Sequence, residues 1–282
     1  MDKEQNLQPE ISLSIEANGI MTNYHDTGEG DPVILIHGSG PGVTAWANWR
    51  ITMPELAKDY RVLAPDMYGF GYTEFPKEPI RDKQIWVDHL LGFIDALDLE
   101  KVDLVGNSFG GGLALAFLIA HPDRVKRAVL MGSVGVHFDI TEGLDFVWGY
   151  EASVENMRKV VQYLAHDHSR ITDELVRSRY EASIREGVLE SYSDIFSAEP
   201  RQNQVKLLES REEDIAAIEH EVLILHGRDD RVIPSSLATK LNNLLPHSDV
   251  HIFGDCGHWV QIERAEAFNP LVKEFLKKGL RR

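Results

Sequence analysis

The sequence predicts an α/β fold, in which a mostly parallel eight-stranded sheet is flanked by helices and interrupted by a helical cap. Short apolar runs alternate with helical patterns along the chain. Within most of these runs the apolar residues are successive rather than alternating, which is typical of strands buried on both faces of a parallel sheet. This alternation stops between about Gly135 and Ser210 and resumes at Glu221, so the insertion falls between two strands.

The predicted elements follow one another in a regular order. Two strand-like runs, residues 11–16 and 20–25, come first. Six short runs rich in β-branched residues then follow, most of them ending in Gly; they read "VILIHG", "YRVLAPD", "KVDLVGNS", "RAVLMG", "EVLILHG" and "DVHIFG". The spacing predicts helices after the first three of these six runs, over about 45–58, 82–97 and 109–121.

The interrupting segment, residues 135–210, has aromatic and charged residues at helical spacing and no strand-plus-glycine unit. We interpret it as a helical cap on a core domain made of residues 1–134 and 211–282. Open α/β sheets bind ligands outside the carboxyl ends of their strands. The cap is therefore expected to cover the functional site.

The charge balance excludes two classes of partner. The 282 residues include 45 acidic and 29 basic side chains, which gives a net charge of −16, and no compact Lys/Arg block offsets it. Such a surface repels nucleic acid and anionic membranes. An anionic small molecule would need a locally positive pocket in this protein.

Three features of the sequence predict a cytoplasmic protein. The first residues, "MDKEQNLQPEISL", contain no apolar signal core. The longest apolar run, residues 113–120, is too short to cross a membrane. Cys256 is the sole cysteine, which excludes an internal disulfide and is typical of a reducing compartment.

Residues 106–110 read GNSFG and match the G-x-S-x-G pattern of a nucleophilic serine, Ser108. The match lies between a predicted strand and a predicted helix, which is the context that this motif requires. Small residues two positions before and after the serine leave room for a strained turn that raises the hydroxyl above the sheet. The alternative is a serine that merely caps the following helix.

A nucleophilic serine needs a base and an acid that orients the base. In this class of fold the acid and the histidine follow Ser108 in that order, each on a loop after a late strand. "HGRDDRVIP" supplies Asp230, with Asp229 as the fallback, and "GDCGHW" supplies His258. Asp230 is preferred because its spacing from Gly227 and Pro234 puts it on the loop before a helix.

Backbone amides are predicted to stabilise the oxyanion that such a serine generates. The loop "IHGSGPG", residues 36–42, follows the first buried strand, and its glycines let amides approach a ligand closely. We assign the two donors to the amides of Phe109 and Ser39, with Gly40 as the alternative to Ser39. The competing interpretation is a Gly/Pro turn that binds nothing.

Neither a metal nor a cofactor is expected. His166 and His168 lie close together in the predicted cap, but the sequence offers no convincing third ligand nearby. The glycines of "GEGDP" and "GSGPG" do not form a dinucleotide-binding G-x-G-x-x-G motif after a strand.

Several motifs together resemble the α/β-hydrolases and, within them, the meta-cleavage product hydrolases of bacterial aromatic degradation. They are "HGSGPGVTAWANWR", "DMYGFGYT", "VGNSFGGG", "HGRDDRVIP" and "GDCGHWVQIE", and they extend over nearly the whole chain. The resemblance implies hydrolysis of a carbon–carbon bond in 2-hydroxy-6-oxohexa-2,4-dienoates such as 2-hydroxymuconic semialdehyde. The products would be 2-hydroxypenta-2,4-dienoate and a carboxylic acid, formed after a dienol-to-keto tautomerisation. It also implies a homo-oligomer.

The same resemblance implies a set of substrate-binding residues. Arg179 would bind the substrate carboxylate, since a guanidinium pairs with a carboxylate through two hydrogen bonds; Arg177 is close enough in sequence to be the true counterpart. The residues expected to bind substrate are Gly38, Asn48, Asn107, Phe146, Trp148, Arg179, Val232 and Trp259. Further candidates for the wall around the acyl group are Phe138, Ile140 and Val147.

Two other functions remain open from the sequence. An esterase, lactonase or peptidase could use the same Ser108, His258 and Asp230, and it would cleave simple esters rapidly without needing Arg179. A ligand-binding receptor could keep these residues and signal through its cap, but the sequence has no appended tail or large apolar stripe that favours this.

Overall fold

The computed structural model describes residues 8–197 and 199–280. Its centre is one eight-stranded sheet with the strand order β1-β2-β4-β3-β5-β6-β7-β8. The strands are β1 (Leu13–Ala17), β2 (Ile20–Thr27), β3 (Pro32–Ile36), β4 (Arg61–Pro65), β5 (Val102–Asn107), β6 (Val125–Met131), β7 (Val222–Gly227) and β8 (Ser248–Phe253). The predicted α/β fold with eight strands is confirmed.

The sheet is parallel except at its first edge. β1 and β2 form a hairpin and β2 runs antiparallel to β4, whereas all pairings from β3 to β8 are parallel. The hairpin turns at Asn18 and Gly19, whose φ angles of 51° and 78° are those of the tight turns that fit twisted strands. The carboxyl ends of six parallel strands therefore share one edge.

Helices cover both faces of this sheet. Ile34 and Ile36 pack in the layer that contains α3, α4 and the segment between β6 and β7, whereas Val33 and Leu35 pack in the layer with α1, α2 and α13. The helices are α1 (Ala45–Trp49), α2 (Met53–Leu56), α3 (Gln84–Ala96), α4 (Phe109–Ala120), α5 (Glu142–Trp148), α6 (Val154–Leu164), α7 (Asp173–Ser183), α8 (Val188–Ile195), α9 (Gln202–Leu208), α10 (Glu212–Ala216), α11 (Ser236–Leu244), α12 (Val260–Glu263) and α13 (Ala265–Lys278). Across the described ranges, no helix combines the length and apolarity needed to cross a membrane.

The helix predicted over 45–58 is wrong in one respect, because the structure has two short helices there, α1 and α2. Pro54 is the physical reason, since it has no N–H to donate to a carbonyl one turn earlier and is tolerated only in the first turn of a helix. The second helix accordingly begins at Met53, with Pro54 in its first turn.

Helices α5 to α10 occupy the chain between β6 and β7, and no strand occurs among the described residues of this interval. Two of its contacts reach the loops at the carboxyl edge of the sheet. The Leu164 carbonyl accepts a hydrogen bond from the His258 amide, at 2.8 Å, and Gly42 lies so close to Ala182 and Ser183 that a Cβ would not fit. The exact division into a core and a cap at residues 135 and 210 stays a prediction, and residues 1–7, 198, 281 and 282 lie outside the described part of the chain.

Candidate active site

Ser108 occupies a sharp turn between the end of β5 and the start of α4. Its φ and ψ angles, 55° and −112°, are rare for a residue with a side chain. The turn depends on its flanking glycines. A Cβ on Gly106 would overlap the Gly110 carbonyl, and a Cβ on Gly110 would overlap the Ile36 carbonyl. Strain of this kind costs about 1–3 kcal/mol and is typical of functional sites.

His258 and Asp230 form a buried pair at the same edge of the sheet. The Nδ1 atom of His258 lies 2.7 Å from Oδ2 of Asp230, whose side chain has no exposed surface. An ionised carboxylate can only accept hydrogen bonds, so Nδ1 carries the proton and Nε2 is left free to accept one. Ser108 and His258 line the same cavity.

Asp230 is held as an anion by its neighbours. Burial alone would raise the pKa of this carboxyl group, but the positive charge that His258 carries once it has accepted a proton, together with hydrogen bonds from His226 and His258, lowers it well below the usual range. The other oxygen, Oδ1, accepts hydrogen bonds from the amides of Val232 and Ile233, at 2.8 and 2.9 Å.

His226, which no sequence motif singled out, is also part of this arrangement. Its Nε2 lies 2.9 Å from the Ile233 carbonyl and 3.3 Å from Oδ2 of Asp230, and both of these partners are acceptors. Nε2 must therefore carry a proton, which it shares between them. The sequence signal for His226 was its place at the start of "HGRDDRVIP", the motif that supplies Asp230. His226 lies near the carboxyl end of β7, at the edge of the sheet where the site is formed.

Asp229, the fallback acid, faces away from His258. Its carboxylate pairs with Arg228 at 3.3 Å and accepts a hydrogen bond from the Cys256 amide at 3.3 Å. About 31% of its side chain is exposed. Between the two candidate acids, the structure brings only Asp230 to the histidine.

Gly132, at the end of β6, was also missed. Its φ angle is +52°, and a Cβ there would lie 3.2 Å from both Cε1 and Nδ1 of His258. A larger residue would press on the imidazole that the Asp230 carboxylate orients. Nothing in the sequence near Gly132 distinguishes it from a glycine that only ends a strand.

The loop predicted to supply one oxyanion donor is fixed from two sides. Burial lowers the pKa of His37 to about 4, so this histidine is neutral: Nδ1 donates to the Gly38 carbonyl and Nε2 accepts from the Met67 amide. Ser39 and Gly40 line the cavity. Phe109 is the first residue of α4, where amides have no acceptor within the helix.

A cavity of about 110 Å³ lies above Ser108, between the sheet edge and the helices α5, α6 and α7. Its lining contains two groups of residues, polar or charged ones and apolar ones. The first group comprises Ser39, Asn48, Arg50, Asn107, Ser108, Arg179, His258 and Gln261. The second comprises Val43, Leu144, Val147, Met157, Val160, Val161, Leu164, Leu175, Val232, Trp259 and Ile262, with Gly38, Gly40, Pro41 and Ala47 completing the lining.

Three buried amide side chains in this wall are connected to one another. The Oδ1 atom of Asn48 accepts from the Gly38 amide at 3.1 Å and from Nδ2 of Asn107 at 2.9 Å. Gln261 donates to the Asn48 carbonyl at 3.3 Å. Asn48 Nδ2, Asn107 Oδ1 and Gln261 Oε1 have no hydrogen-bond partner within the part of the chain that the structure describes. Buried unpaired polar atoms are costly, so this wall is suited to a polar ligand; the sequence analysis did not include Gln261.

Arg179 brings a cation to the same cavity from α7. Its side chain is 17% exposed, and its polar partners within residues 8–197 and 199–280 are distant: the Gly42 carbonyl at 3.4 Å and a Glu10 oxygen at 3.7 Å. Burial lowers the pKa of this guanidinium, while the charge of Glu10 opposes that effect; arginine still remains charged in proteins. Arg177, the alternative from the sequence, is exposed and absent from the cavity lining.

Two of the aromatic side chains expected to line the pocket, Phe146 and Trp148, are placed elsewhere. Phe146 packs against Tyr163, and Trp148 lies behind the cavity wall, where its Nε1 donates to Ser39 Oγ at 3.1 Å. Leu144 and Val147 line the cavity instead, because residues three apart share one face of α5. Phe138 and Ile140 are also absent from the lining, whereas Val147, Val232, Trp259 and Gly38 belong to it.

His166 meets two carboxylates near this site. Within the described residues, ligand atoms of His166, Asp229 and Asp255 lie within 4.8 Å of one another. The guanidinium of Arg228 already pairs with both carboxylates, at 3.3 and 2.8 Å. This cluster is therefore explained by an internal ion pair.

The sheet order and the strained serine beside a buried His–Asp pair define the class of protein as an α/β hydrolase. The model of the α/β hydrolase fold family matches residues 31–265. The chain belongs, within this family, to the meta-cleavage product hydrolases, as relatives with more than half of their residues identical show.

The 2-hydroxy-6-oxo-2,4-heptadienoate hydrolase of Pseudomonas putida is 57% identical over 271 residues, which cover 96% of this chain and 98% of that protein. A 2-hydroxymuconate semialdehyde hydrolase of a Pseudomonas species is 54% identical and covers 99% of this chain and 98% of that protein. Among solved structures, a meta-cleavage product hydrolase variant from Pseudomonas fluorescens, complexed with acetates, has 54% identity and a TM-score of 0.95, covering 97% of this chain and 100% of that one.

Proposed function

We propose that this enzyme hydrolyses a carbon–carbon bond in 2-hydroxy-6-oxohexa-2,4-dienoates, either 2-hydroxymuconic semialdehyde or its small alkyl analogues. The observation that carries the proposal is that a serine and a histidine suited to act as nucleophile and base, Ser108 and His258, line one cavity together with a half-buried cation, Arg179. Hydrolysis of an ester needs the first feature only. A dienoate substrate also needs the second, because its carboxylate must be paired when it leaves water.

The proposed reaction begins with the substrate bound across the cavity. Its carboxylate pairs with Arg179, one of its oxygen atoms accepts a hydrogen bond from Nδ2 of Asn48, and its hydroxyl group donates to Oδ1 of Asn107. The bound dienol is then converted to its keto form by moving the hydroxyl proton to the carbon beside the distal carbonyl. This step is required because the departing carbon must already carry a proton.

Cleavage then follows the chemistry of a serine hydrolase. Nε2 of His258 takes the proton from Ser108 as the hydroxyl oxygen attacks the distal carbonyl, and the Phe109 amide and that of Ser39 or Gly40 stabilise the oxyanion. The carbon–carbon bond breaks, the dienoate leaves with the proton from His258, and an acyl group remains on Ser108. Water activated by His258 releases this group as a carboxylic acid.

The shape of the cavity favours a small acyl group. Its volume of about 110 Å³ holds on the order of ten water-sized spheres. Branched aliphatic side chains from α5 and α6, such as Val147, Val160 and Val161, also line it. Formyl or acetyl ends are therefore expected to be preferred over an aromatic ring.

The first test is to add the enzyme to the ring-fission products of catechol and 3-methylcatechol and to follow the loss of dienolate absorbance. Rapid loss with release of formate or acetate is the expected result. Efficient cleavage of p-nitrophenyl acetate without loss of dienolate would overturn the proposal in favour of an esterase.

Replacing Arg179 with glutamine is expected to lower kcat/KM for the dienoate far more than for p-nitrophenyl acetate. Loss of a desolvated charge pair costs about 2–4 kcal/mol, which corresponds to about 30- to 900-fold. p-Nitrophenyl acetate is neutral and has no carboxylate that pairs with Arg179, so its hydrolysis should change little. Arg177→Gln is the matched control, because Arg177 lies on the same helix but is exposed outside the cavity. Equal losses on both substrates would contradict a carboxylate-binding role.

A cytoplasmic location and assembly into a homo-oligomer stay predictions of the sequence. The oligomeric state can be measured directly by sedimentation equilibrium.

A further inference from the structure

An open surface groove adjoins the cavity at the residue that is proposed to bind carboxylate. Ala47, Arg50, Leu175 and Arg179 line both the cavity and this groove. The other groove residues come from the N-terminal segment, α1, the loop after β4, α7 and the turn that follows α7; they are Gln8, Pro9, Glu10, Trp46, Tyr72, Ser178, Glu181, Ala182 and Arg185. The groove is thus a route from solvent to Arg179.

Three arginines, Arg50, Arg179 and Arg185, line this groove, although the whole protein carries a net charge of −16. Their charges are close enough for Arg50 and Arg185 to lower the pKa of Arg179, in addition to the larger effect of burial. Two carboxylates, Glu10 and Glu181, also line the groove, so three arginines and two glutamates leave it a net charge of +1. A concave surface with an excess of one sign of charge concentrates ligands of the opposite sign. This groove therefore favours anions, in contrast to the net negative charge of the whole protein.

These arginines have few strong partners. Arg179 contacts Glu10 and the Gly42 carbonyl only at 3.7 and 3.4 Å. Arg50 donates to the carbonyl of Ala47, one turn earlier in the chain, at 2.8 Å. Arg185 lies 3.8 Å above the ring of Tyr72 and donates to a backbone carbonyl, but its buried Nε has no partner. Most of the N–H groups of Arg179 remain available to a better acceptor.

Glu10 is the carboxylate that Arg179 meets in the absence of substrate. The Glu10 backbone carbonyl accepts from Asn23 Nδ2 at 3.0 Å, which ties this segment to β2. The same side-chain oxygen that faces Arg179 also accepts from the Thr44 hydroxyl at 3.2 Å. Glu10 can therefore lose Arg179 and keep a hydrogen-bond partner.

We propose that this groove is the entrance for the anionic substrate, that Arg50 is a second cation that recruits it, and that its carboxylate displaces Glu10 from Arg179. The inference rests on the proposed function, because it assigns the entry route and a competitor for the same carboxylate site. Arg50 raises the rate at which enzyme and substrate associate. Glu10 competes with the substrate carboxylate for Arg179 and so weakens substrate binding.

The role of Arg50 is tested with Arg50→Gln and the control Arg177→Gln. Binding of the dienolate is followed by stopped-flow absorbance in an enzyme that also carries Ser108→Ala, from about 20 to 500 mM NaCl. Screening shortens the range of such attraction from about 20 to 4 Å across that interval. Arg50→Gln is expected to slow association about 5- to 10-fold at low salt, with the difference disappearing at high salt. An association rate equal to that of Arg177→Gln at every salt concentration would overturn the assignment.

The role of Glu10 is tested with Glu10→Gln, which keeps an acceptor for Thr44 and removes the charge. Its KM for the dienoate is expected to fall about 3- to 10-fold, while kcat/KM for p-nitrophenyl acetate stays unchanged. Glu181→Gln is the control, because Glu181 lines the same groove whereas the carboxylate that pairs with Arg179 belongs to Glu10. A similar fall in both variants, or no fall in Glu10→Gln, would overturn the exchange.

These outcomes are separable from failure of the proposed function. If the unmodified enzyme does not cleave the dienoate, the proposed function fails. If it cleaves the dienoate and both variants behave as their controls do, only the entrance and the exchange fail.

Discussion

Replacing Ser108 with alanine is expected to lower kcat for the dienoate by about 10⁶-fold, the loss found when a serine nucleophile is removed from a triad. The turn itself should persist, because alanine is no larger than serine and the flanking glycines still provide the space at 106 and 110. Arg179 and the amide wall are untouched, so the dienoate should still bind. Single-turnover kinetics measures the first effect and titration of the dienolate absorbance measures the second.

Ser169→Ala is a suitable control for this prediction, since Ser169 is an exposed serine whose hydroxyl bonds only to Asp167. It should retain full activity. Turnover by Ser108→Ala near that of the control would remove the nucleophile from the proposed mechanism. Loss of binding together with turnover would mean that the alanine disturbs the cavity rather than the chemistry.

The parts of the site that could be predicted from sequence are those whose positions are fixed by local backbone geometry or by the order of the strands. Ser108 belongs to a motif whose glycines are required by backbone contacts, so its position follows from local sterics. Its partners follow strands of a parallel sheet, and the carboxyl ends of such strands meet at one edge. Asp230 and His258 could therefore be assigned from their order and loop positions alone.

The parts that could not be predicted depend on the packing of distant segments. Phe146 and Trp148 miss the cavity because another face of α5 lines it, and apolar residues on either face of that helix give the same sequence pattern. Gly132 reaches His258 only because β6 lies between β5 and β7. Gln261 contacts Asn48 across 213 positions of the chain. Contacts between segments that are distant in the chain produce no pattern in the local sequence.

The second large effect is expected for Asp230→Asn, which should lower kcat by about 10⁴-fold, as removal of this charge does in other serine triads. An asparagine oxygen at the Oδ1 position can keep the hydrogen bonds from the Val232 and Ile233 amides. The amide nitrogen then faces Nδ1 of His258, which must become the acceptor. Nε2 of His258 consequently holds the proton and cannot take one from Ser108.

The Asp230→Asn substitution also places two hydrogen-bond donors opposite each other, in addition to removing the charge. The new side-chain amide nitrogen would face Nε2 of His226, which is already a donor, so two donors would meet in a buried site. Asp229→Asn is the matched control, because Asp229 pairs with Arg228 at the surface and should lose less than a few-fold in kcat. Pre-steady-state measurement of dienoate release distinguishes the two variants. A larger loss in Asp229→Asn than in Asp230→Asn would assign the acid to Asp229, against the 2.7 Å contact between Asp230 and His258.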